Sequence, residues 1–498
     1  MKFSNPVIKG FYPDPSVCRG KDRFYLVCSS MQYFPSVPIF ESTDLINWKQ
    51  IGHCLTRKSQ IQLEKVNSSG GVFAPSIRYH NGRYYMTTTN DTTHQNFYVW
   101  TDDIYSEWSD PIFVNQGGID PSLYFEGERT YFMSNGEDDE GINGIVQCEI
   151  NIETGKKLTA SITIWQGTGG RFIEGPHMYK INGMYYLVAA EGGTEFGHMV
   201  TYARGNSPYG PFESYLHNPV LTNRNLGGYE IQGVGHGDLI EDDNSNWWML
   251  HLGFRQSGQW IAYHHLGREV FLTPVIFDED GWFSAGYNGT TIKNVTIDNT
   301  DSSVIQKEKF VYTFENTQWD IDWCYLRFPN VDNYIFEKDT VKLRGTDITL
   351  DQPDSPTFIG IRQKDFNADI SCEINMLEGE AGITIYMDED HHYDLAIRKN
   401  TNQYEAIERL NIGDIKAIQK SVDLDQNNKI KLIIHSNNEY YEFYIEKEGQ
   451  KVYLGKAKAK YLSTEVAGGF TGVIIGLYTQ GKNGSDYAKF SNFRCQYI

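Results

Sequence analysis

Short runs of apolar and aromatic residues alternate with polar turns along the chain, and helical periodicity is almost absent. The runs are rich in Val, Ile, Tyr, Phe and Trp, and turns such as Asn81-Gly82 and Asn182-Gly183 separate them. This pattern is typical of β-strands joined by hairpins. It therefore predicts an all-β protein.

One unit of this pattern recurs five times before Trp282. Each unit has a short polar opening, a strand, a tight turn and a second strand led by aromatic residues. About four strands per unit, at a spacing of roughly 45–60 residues, is typical of propeller blades. We therefore predict a five-bladed β-propeller over residues 1–296. Its openings are Asp14-Pro15-Ser16, Ala74-Pro75-Ser76, Asp120-Pro121-Ser122, Glu174-Gly175-Pro176-His177 and His236-Gly237-Asp238.

A second region follows a mostly polar stretch, residues 285–303, which is typical of a linker. Beyond it, short strand-like segments are again separated by polar turns. They predict a β-sandwich domain over residues 305–498. The clearest segments are 368–374, 382–387, 430–436, 440–446 and 471–478.

The amino-acid composition excludes some classes of binding partner and favours others. The net charge of −20 argues against nucleic acid and anionic membranes, because both reward clustered Lys and Arg. Aromatic residues make up 14% of the chain, which suits β-sheet packing and also stacking on the C–H faces of sugars. The seven scattered cysteines include no CxxC pair, and they predict reduced thiols. The first residues carry no apolar signal segment, so we expect a cytoplasmic protein with no membrane partner.

The blade openings carry the candidate chemistry. Equivalent positions of propeller blades converge on one mouth of the channel, and Asp14, Asp120 and Glu174 occupy the first position of three openings. Ala74 and His236 occupy the other two, so the turn itself does not demand an acid. Neighbouring acids raise one another's pKa, and glycoside hydrolysis needs one protonated and one ionised carboxyl. The alternative is that the Asp residues form Asx turns and Glu174 is a solvated strand end.

Further stretches form a specific set with these openings. They are Phe11-Tyr12-Pro13-Asp14-Pro15-Ser16, Thr43-Asp44-Leu45-Ile46-Asn47-Trp48, Gly118-Ile119-Asp120-Pro121-Ser122, Ala190-Glu191-Gly192-Gly193-Thr194 and Leu266-Gly267-Arg268-Glu269. Together they resemble glycoside hydrolase family 43, in the branch where a five-bladed propeller precedes a β-sandwich. The resemblance covers essentially the whole chain. It implies that Asp14 is the general base, Glu174 the general acid, and Asp120 the residue that orients Glu174 and tunes its pKa.

The resemblance also implies substrate contacts. Arg268 and Thr194 match substrate-binding positions, and Phe34 matches an aromatic wall of the sugar site. Phe470 resembles an aromatic residue that the second domain inserts toward the active site, which would enforce exo action. Phe73 stands where xylosidase-type relatives often have Trp. This difference leaves open whether the preferred sugar is xylose or arabinose. The alternative for Arg268 is a structural salt bridge. The alternative for Phe34 and Phe470 is packing in the protein core.

His236 matches a histidine near the propeller axis, which in many members of the family lies beside a calcium ion or binds it. Calcium is therefore an expected structural cofactor, and a hydrogen-bonded core histidine is the alternative.

The function expected from the resemblance is exo-acting, inverting hydrolysis that releases terminal β-D-xylose, α-L-arabinofuranose or both from pentose-containing oligosaccharides. Inversion requires a base and an acid about 6.5–9.5 Å apart. The alternatives are an endo-acting arabinanase, an invertase-type fructosidase and a non-catalytic sugar-binding propeller. The fructosidase motif Asn-Asp-Pro-Asn-Gly is absent from the sequence. Analogy with related two-domain enzymes predicts a homo-oligomer.

Overall fold

The computed structural model describes residues 2–258, 260–296, 311–376, 378–400, 403–424, 429–481 and 487–498. Strands dominate these ranges, so the prediction of an all-β protein is confirmed. None of the helices described is long and apolar enough to cross a membrane. The helical elements are the α-helices Trp319–Asp322 and Thr464–Ala467 and the 3₁₀ turns Phe314–Asn316, Val331–Asn333 and Ala459–Leu462. Of the linker predicted over 285–303, the part 297–303 lies outside the described residues, as does the domain start predicted at 305. The earlier part is not a linker, because Asn294–Thr296 is a strand paired with Lys2–Ser4.

The described part of the first 296 residues contains five four-stranded antiparallel sheets. Four of them are built from consecutive strands, and in the first the short strand Tyr33–Phe34 intervenes between the second and third strands. The period-two pattern and the tight turns explain this order, because a hairpin places each strand beside its predecessor. We number the sheets 1 to 5 along the chain. Their strands are, for sheet 1, Ser16–Arg19, Phe24–Val27, Ser36–Ser42 and Lys49–Leu55; for sheet 2, Ser76–His80, Arg83–Asn90, Gln95–Thr101 and Ile112–Val114; for sheet 3, Ser122–Glu126, Arg129–Glu137, Asn143–Ile150 and Ile162–Trp165; for sheet 4, Glu174–Ile181, Met184–Glu191, Met199–Gly205 and Glu213–Ser214; for sheet 5, Ile231–Glu241, Trp247–Arg255, Glu269–Phe277 and Phe283–Ala285.

The five sheets form a closed ring. The first strands of consecutive sheets contact one another, and the first strand of sheet 5 contacts that of sheet 1. The ends of the ring are also joined, because Lys2–Ser4 pairs with Asn294–Thr296 and the Asn5 amide donates to the Leu272 carbonyl oxygen at 3.0 Å. Closure brings the openings of all five sheets around one centre.

A buried ionic cluster ties the first strands together near that centre. The Asp238 carboxylate is fully buried and accepts hydrogen bonds from Ser16 Oγ at 2.6 Å and Arg78 Nη1 at 2.9 Å. Tyr179 also donates its hydroxyl to Asp238. Sheets 1, 2, 4 and 5 therefore share one carboxylate, and Arg78 compensates its charge.

The remaining described residues form two larger antiparallel sheets and one small pairing. Sheet 6 has eight strands, in the order Tyr334–Phe336, Thr340–Arg344, Tyr487–Tyr497, Ala368–Asn375, Ile430–Ser436, Tyr440–Lys447 and Gln450–Lys458, with Val311–Thr313 also paired to Tyr487–Tyr497. Sheet 7 has six strands, in the order Thr357–Arg362, Ile474–Gln480, Glu380–Asp388, His391–Asn400, Gln403–Ile412 and Ile415–Leu424. The small pairing joins Tyr325–Leu326 to Tyr33–Phe34.

Sheets 6 and 7 share one apolar core. Ile370 and Ile434 from sheet 6 and Ile383 and Leu395 from sheet 7 belong to the same buried cluster, and each is at most 1% exposed. The alternation of buried and exposed residues along Ala368–Asn375 matches a strand with one face toward this core. The strand-like segments predicted in this region each overlap an observed strand, and the segment 471–478 begins three residues before the strand Ile474–Gln480.

The two regions are in close contact. Arg255 of sheet 5 binds the buried Glu269 through Nε at 2.7 Å and Asp365, which follows sheet 7's first strand, through Nη1 at 2.9 Å. Phe11 and Tyr33 of the ring pack in one apolar cluster with residues of sheet 7. The second region therefore lies against the ring.

Candidate active site

The backbone is left-handed at four of the five openings. Asp14, Asp120, Gly175 and His236 have φ values of 55°, 56°, 59° and 50°. Asp tolerates this conformation better than most residues, and glycine adopts it freely. A Cβ atom on Gly175 would also lie 3.0 Å from the His236 ring, which favours glycine there.

These angles correct one detail of the sequence interpretation. The sequence pattern aligns Glu174 with Asp14 and Asp120 as the first residue of an opening. In the structure Gly175 occupies their left-handed position, and Glu174 precedes it on the first strand of sheet 4. The strand pairing shifts between Glu174 and His177. This β-bulge redirects the chain, so the carboxyl group comes from one residue earlier.

Asp14 is the ionised carboxylate of the site. It is 5% exposed, and it accepts hydrogen bonds from Arg268 Nη1 at 2.8 Å and Ser29 Oγ at 2.5 Å. Burial alone would raise the pKa of Asp14. Arg268, His236 and the Ser29 hydrogen bond outweigh burial, and the pKa is lowered. Asp14 therefore keeps a negative charge over a wide pH range.

Glu174 and Asp120 hold protons to higher pH. Burial, with the charge of Asp14, raises the pKa of Glu174 to about 7. Burial and the neighbouring Glu174 and Asp14 raise the pKa of Asp120 well above its usual range, although Asp120 Oδ2 accepts a hydrogen bond from the Gly175 N–H at 3.0 Å. The site thus contains an ionised carboxylate beside two carboxyls that favour protonation.

Arg268 links the carboxylates to the walls of the site. Its guanidinium donates to Asp14, to Thr194 Oγ1 at 3.1 Å and to the carbonyl oxygen of Phe470 at 3.3 Å. Arg268 as a whole is 6% exposed. The structure therefore brings Arg268, Thr194 and Phe470 together with Asp14, as expected for a site that they share.

Phe470 comes from the second region and reaches the ring. Its ring lies edge to face with that of Phe73, with centroids 6.3 Å apart, and its N–H donates to Ser69 Oγ at 2.7 Å. Phe470 remains 41% exposed. Phe73 and Phe470 thus form an aromatic corner beside Arg268.

A clamp holds the segment that carries Phe470. Glu465 accepts the His264 N–H at 2.9 Å and lies 2.7 Å from His264 Nδ1. The Val473 N–H donates to the His265 carbonyl oxygen at 2.9 Å. Segment 464–473 is therefore fixed against the chain just before Arg268.

Phe34 has a different environment from the other predicted aromatic residues. Its strand pairs with Tyr325–Leu326, and its ring meets Phe328 edge to face at 5.0 Å. It packs against an apolar cluster of sheets 1 and 2. These contacts correspond to the packing alternative, and its contact with a sugar stays a prediction.

His236 lies beside Asp14, with Nδ1 3.7 Å from Asp14 Oδ1. Burial lowers the pKa of His236, and the charge of Asp14 opposes this effect only in part. Among the described residues, no group of three or more His, Cys, Asp or Glu side chains is arranged to hold a metal ion. The calcium expectation stays a prediction, and no catalytic step is assigned to a metal.

Several contributors were not singled out from sequence. Ser29 and His198 both lower the pKa of Asp14, and Asp238 organises the ring centre through Arg78. Of these residues, only Asp238 could have been found from the sequence pattern, because it belongs to the opening His236-Gly237-Asp238. Ser29 and His198 lie in ordinary strand-end sequence.

An ionised carboxylate and a carboxyl that holds its proton to higher pH, in one buried site, are what acid–base catalysis requires. Comparison with known protein families identifies the family of each region. Residues 3–283 match the family described as Glycosyl hydrolases family 43, and residues 311–496 match the Beta xylosidase C-terminal Concanavalin A-like domain. The chain belongs to glycoside hydrolase family 43 and is a glycoside hydrolase.

Relatives match over the full length. The non-reducing end α-L-arabinofuranosidase of Bacteroides ovatus is 37% identical, and the match covers 99% of this chain and 95% of that protein. The xylosidase/arabinosidase of Butyrivibrio fibrisolvens is 35% identical, with 99% of both chains covered. The solved structure of xylan β-1,4-xylosidase from Bacillus halodurans is 29% identical and superposes with a TM-score of 0.92 over 99% of this chain and 100% of that one.

Proposed function

We propose that this protein is an exo-acting, inverting hydrolase that releases terminal α-L-arabinofuranose, β-D-xylose or both from pentose-containing oligosaccharides. The observation that carries the proposal is the separation of pKa values around Arg268. The pKa of Asp14 is lowered, and the pKa of Glu174 is raised to about 7. The names of the full-length relatives, an arabinofuranosidase and a xylosidase/arabinosidase, support pentosides as substrates.

The finer architecture is part of this proposal. The closed ring of five sheets is a five-bladed β-propeller that forms a catalytic domain over residues 1–296. Sheets 6 and 7 are a β-sandwich over residues 305–498 that contributes one wall of the site. Ring closure through the first strands and the core shared by sheets 6 and 7 support these assignments.

In the proposed mechanism, Asp14 acts as the general base. Its carboxylate takes a proton from a water molecule, and the water oxygen forms a bond to the anomeric carbon. Glu174 acts as the general acid and gives its proton to the glycosidic oxygen as the bond from that oxygen to the anomeric carbon breaks. The new hydroxyl lies on the opposite face of the sugar, so the anomeric configuration inverts. Asp120 is a positioning residue, since it binds the Gly175 N–H next to Glu174.

Exo action follows from the aromatic corner of Phe73 and Phe470. The clamp through Glu465 holds Phe470 beside Arg268, and the corner closes one side of the site. A long polysaccharide chain that passes through the site would collide with this wall. This argues against the endo-acting arabinanase. The non-catalytic alternative does not fit a member of a hydrolase family with separated carboxyl pKa values.

We also propose a cytoplasmic location. All seven cysteines are free and buried, and burial raises the pKa of thiols such as Cys148, to about 11. Buried, protonated thiols suit a reducing compartment. In that compartment the substrates are short oligosaccharides that have been imported.

The test is a panel of arabino- and xylo-oligosaccharides assayed with the wild type, Glu174→Ala and Asp14→Ala. We expect both variants to lose at least about 100-fold in kcat/KM, the usual contribution of a general acid or base. Proton NMR of the first product formed by the wild type should show the inverted anomer. Near wild-type turnover by either variant, or retention of configuration, would overturn the assignment.

A further inference from the structure

Phe172 is a large apolar residue in an unusual place. It lies two residues before Glu174, and its side chain is 60% exposed. Its backbone is left-handed, with a φ of 54°, which is unfavourable for a bulky residue. Exposed phenylalanines are common, but an exposed ring on strained backbone beside a reactive group calls for a functional reason.

Buried interactions hold the strained segment in place. The Glu191 carboxylate is fully buried and accepts the N–H groups of Thr168 at 2.9 Å and Gly170 at 2.8 Å. The Gly192 N–H donates to the Arg171 carbonyl oxygen at 2.8 Å, and Arg171 Nε donates to the Gly192 carbonyl oxygen at 3.1 Å. The loop before Glu174 is thus fixed to the end of the second strand of sheet 4.

The ring of Phe172 lies at the border of the carboxylate site. A Cβ atom on Gly193 would be 3.1 Å from Phe172 Cδ2, so the ring sits over this glycine. Gly193 directly precedes Thr194, which accepts a hydrogen bond from Arg268. Phe172 is therefore two residues from Glu174 along the chain, and in space it lies over the glycine that precedes Thr194.

Charged groups flank the ring. The Arg171 guanidinium lies 5.2 Å from the centre of the Phe172 ring, and Arg171 forms an ion pair with Glu195. Both charged side chains are more than half exposed. An apolar face bordered by hydrogen-bonding groups suits a neutral sugar, whose C–H face contacts the ring while its hydroxyls bind the charges.

We propose that Phe172 is the stacking platform for the sugar unit that departs, so that it forms the leaving-group subsite. This inference rests on the proposed function. Glu174 protonates the oxygen that joins the two sugars, and the departing sugar must therefore lie beside Glu174. Phe172 offers an exposed ring there, whereas Phe73 and Phe470 form their corner at Arg268. The ligand is the ring of a pentose unit.

The experiment compares two substrates that share the retained sugar. One is a pentose disaccharide, xylobiose or arabinobiose, and the other is the pentosyl fluoride of the same non-reducing sugar, whose leaving group has no ring. Phe172→Gly removes the platform and suits the left-handed backbone, so the fold should be preserved. Phe172→Trp keeps an aromatic face. Phe113→Ala is the matched control, because Phe113 is 51% exposed on the outer strand of sheet 2.

We expect Phe172→Gly to lower kcat/KM for the disaccharide about 10-fold, which corresponds to about 1.4 kcal/mol. The kcat/KM for the fluoride, and the melting temperature, should stay unchanged. Phe172→Trp and Phe113→Ala should retain disaccharide activity. An equal fall for both substrates, no fall for either, or a variant that does not fold would overturn the platform. A wild type that cleaves neither substrate would overturn the proposed function and this inference with it.

Discussion

The hydrogen bond from Ser29 to Asp14 gives a direct test of how the site keeps its base ionised. Ser29 Oγ donates to Asp14 Oδ2 at 2.5 Å, and Ser29 is fully buried. Ser29→Ala removes this donor and leaves Arg268 in place. A hydrogen bond to a charged group contributes about 1.5–3 kcal/mol. Because one pKa unit equals about 1.4 kcal/mol, the pKa of Asp14 should rise by about one to two units.

The assay is the pH dependence of kcat/KM, which reports the ionisations of the free enzyme. Activity requires ionised Asp14, so a raised pKa moves the acidic limb of the profile to higher pH. The alkaline limb reports Glu174, with its pKa of about 7, and should not move. Ser30→Ala is the matched control, since Ser30 accepts a backbone hydrogen bond from Val37 at 3.1 Å.

Two results would refute this reasoning. An acidic limb that stays in place in Ser29→Ala would show that Asp14 does not control it. A comparable shift in Ser30→Ala would show that any polar loss in this buried segment disturbs the site.

The clamp and the second domain provide further predictions. Glu465→Gln removes the charge that binds His264, so the segment carrying Phe470 loosens. We expect a rise in KM of about 3- to 10-fold, or about 0.7–1.4 kcal/mol, with kcat nearly unchanged; a lower melting temperature without a change in KM would contradict the positioning role. In the second domain, burial alone would lower the pKa of His392, but its ion pair with Asp394 outweighs burial and raises the pKa to about 9. Because the folded pKa exceeds the unfolded value of about 6.5, the stabilisation is complete below that pH and is lost as the pH rises through about 9. Calorimetry should show about 3 kcal/mol less stability at high pH in the wild type, and a smaller loss in His392→Gln.

The strands and the repeated openings could be predicted from the sequence because they depend on local interactions. Alternating burial, tight turns and aromatic-led strands depend on neighbours a few residues apart. Asp14, Asp120 and Glu174 could be proposed for the same reason, because each stands at a strand opening. The family resemblance then added Arg268 and other residues whose roles no local pattern reveals.

The sequence by itself determined the all-β architecture, the five repeated units and the acids at three openings. The tertiary structure decided how those acids differ. It showed Glu174 one residue before the left-handed position that Asp14 shares with Asp120. It also placed Ser29 and Arg268 on Asp14, which lower its pKa, while burial and Asp14 raise that of Glu174. These properties depend on distances between sheets and on exclusion of water, and both arise only when the ring closes and the second region packs against it.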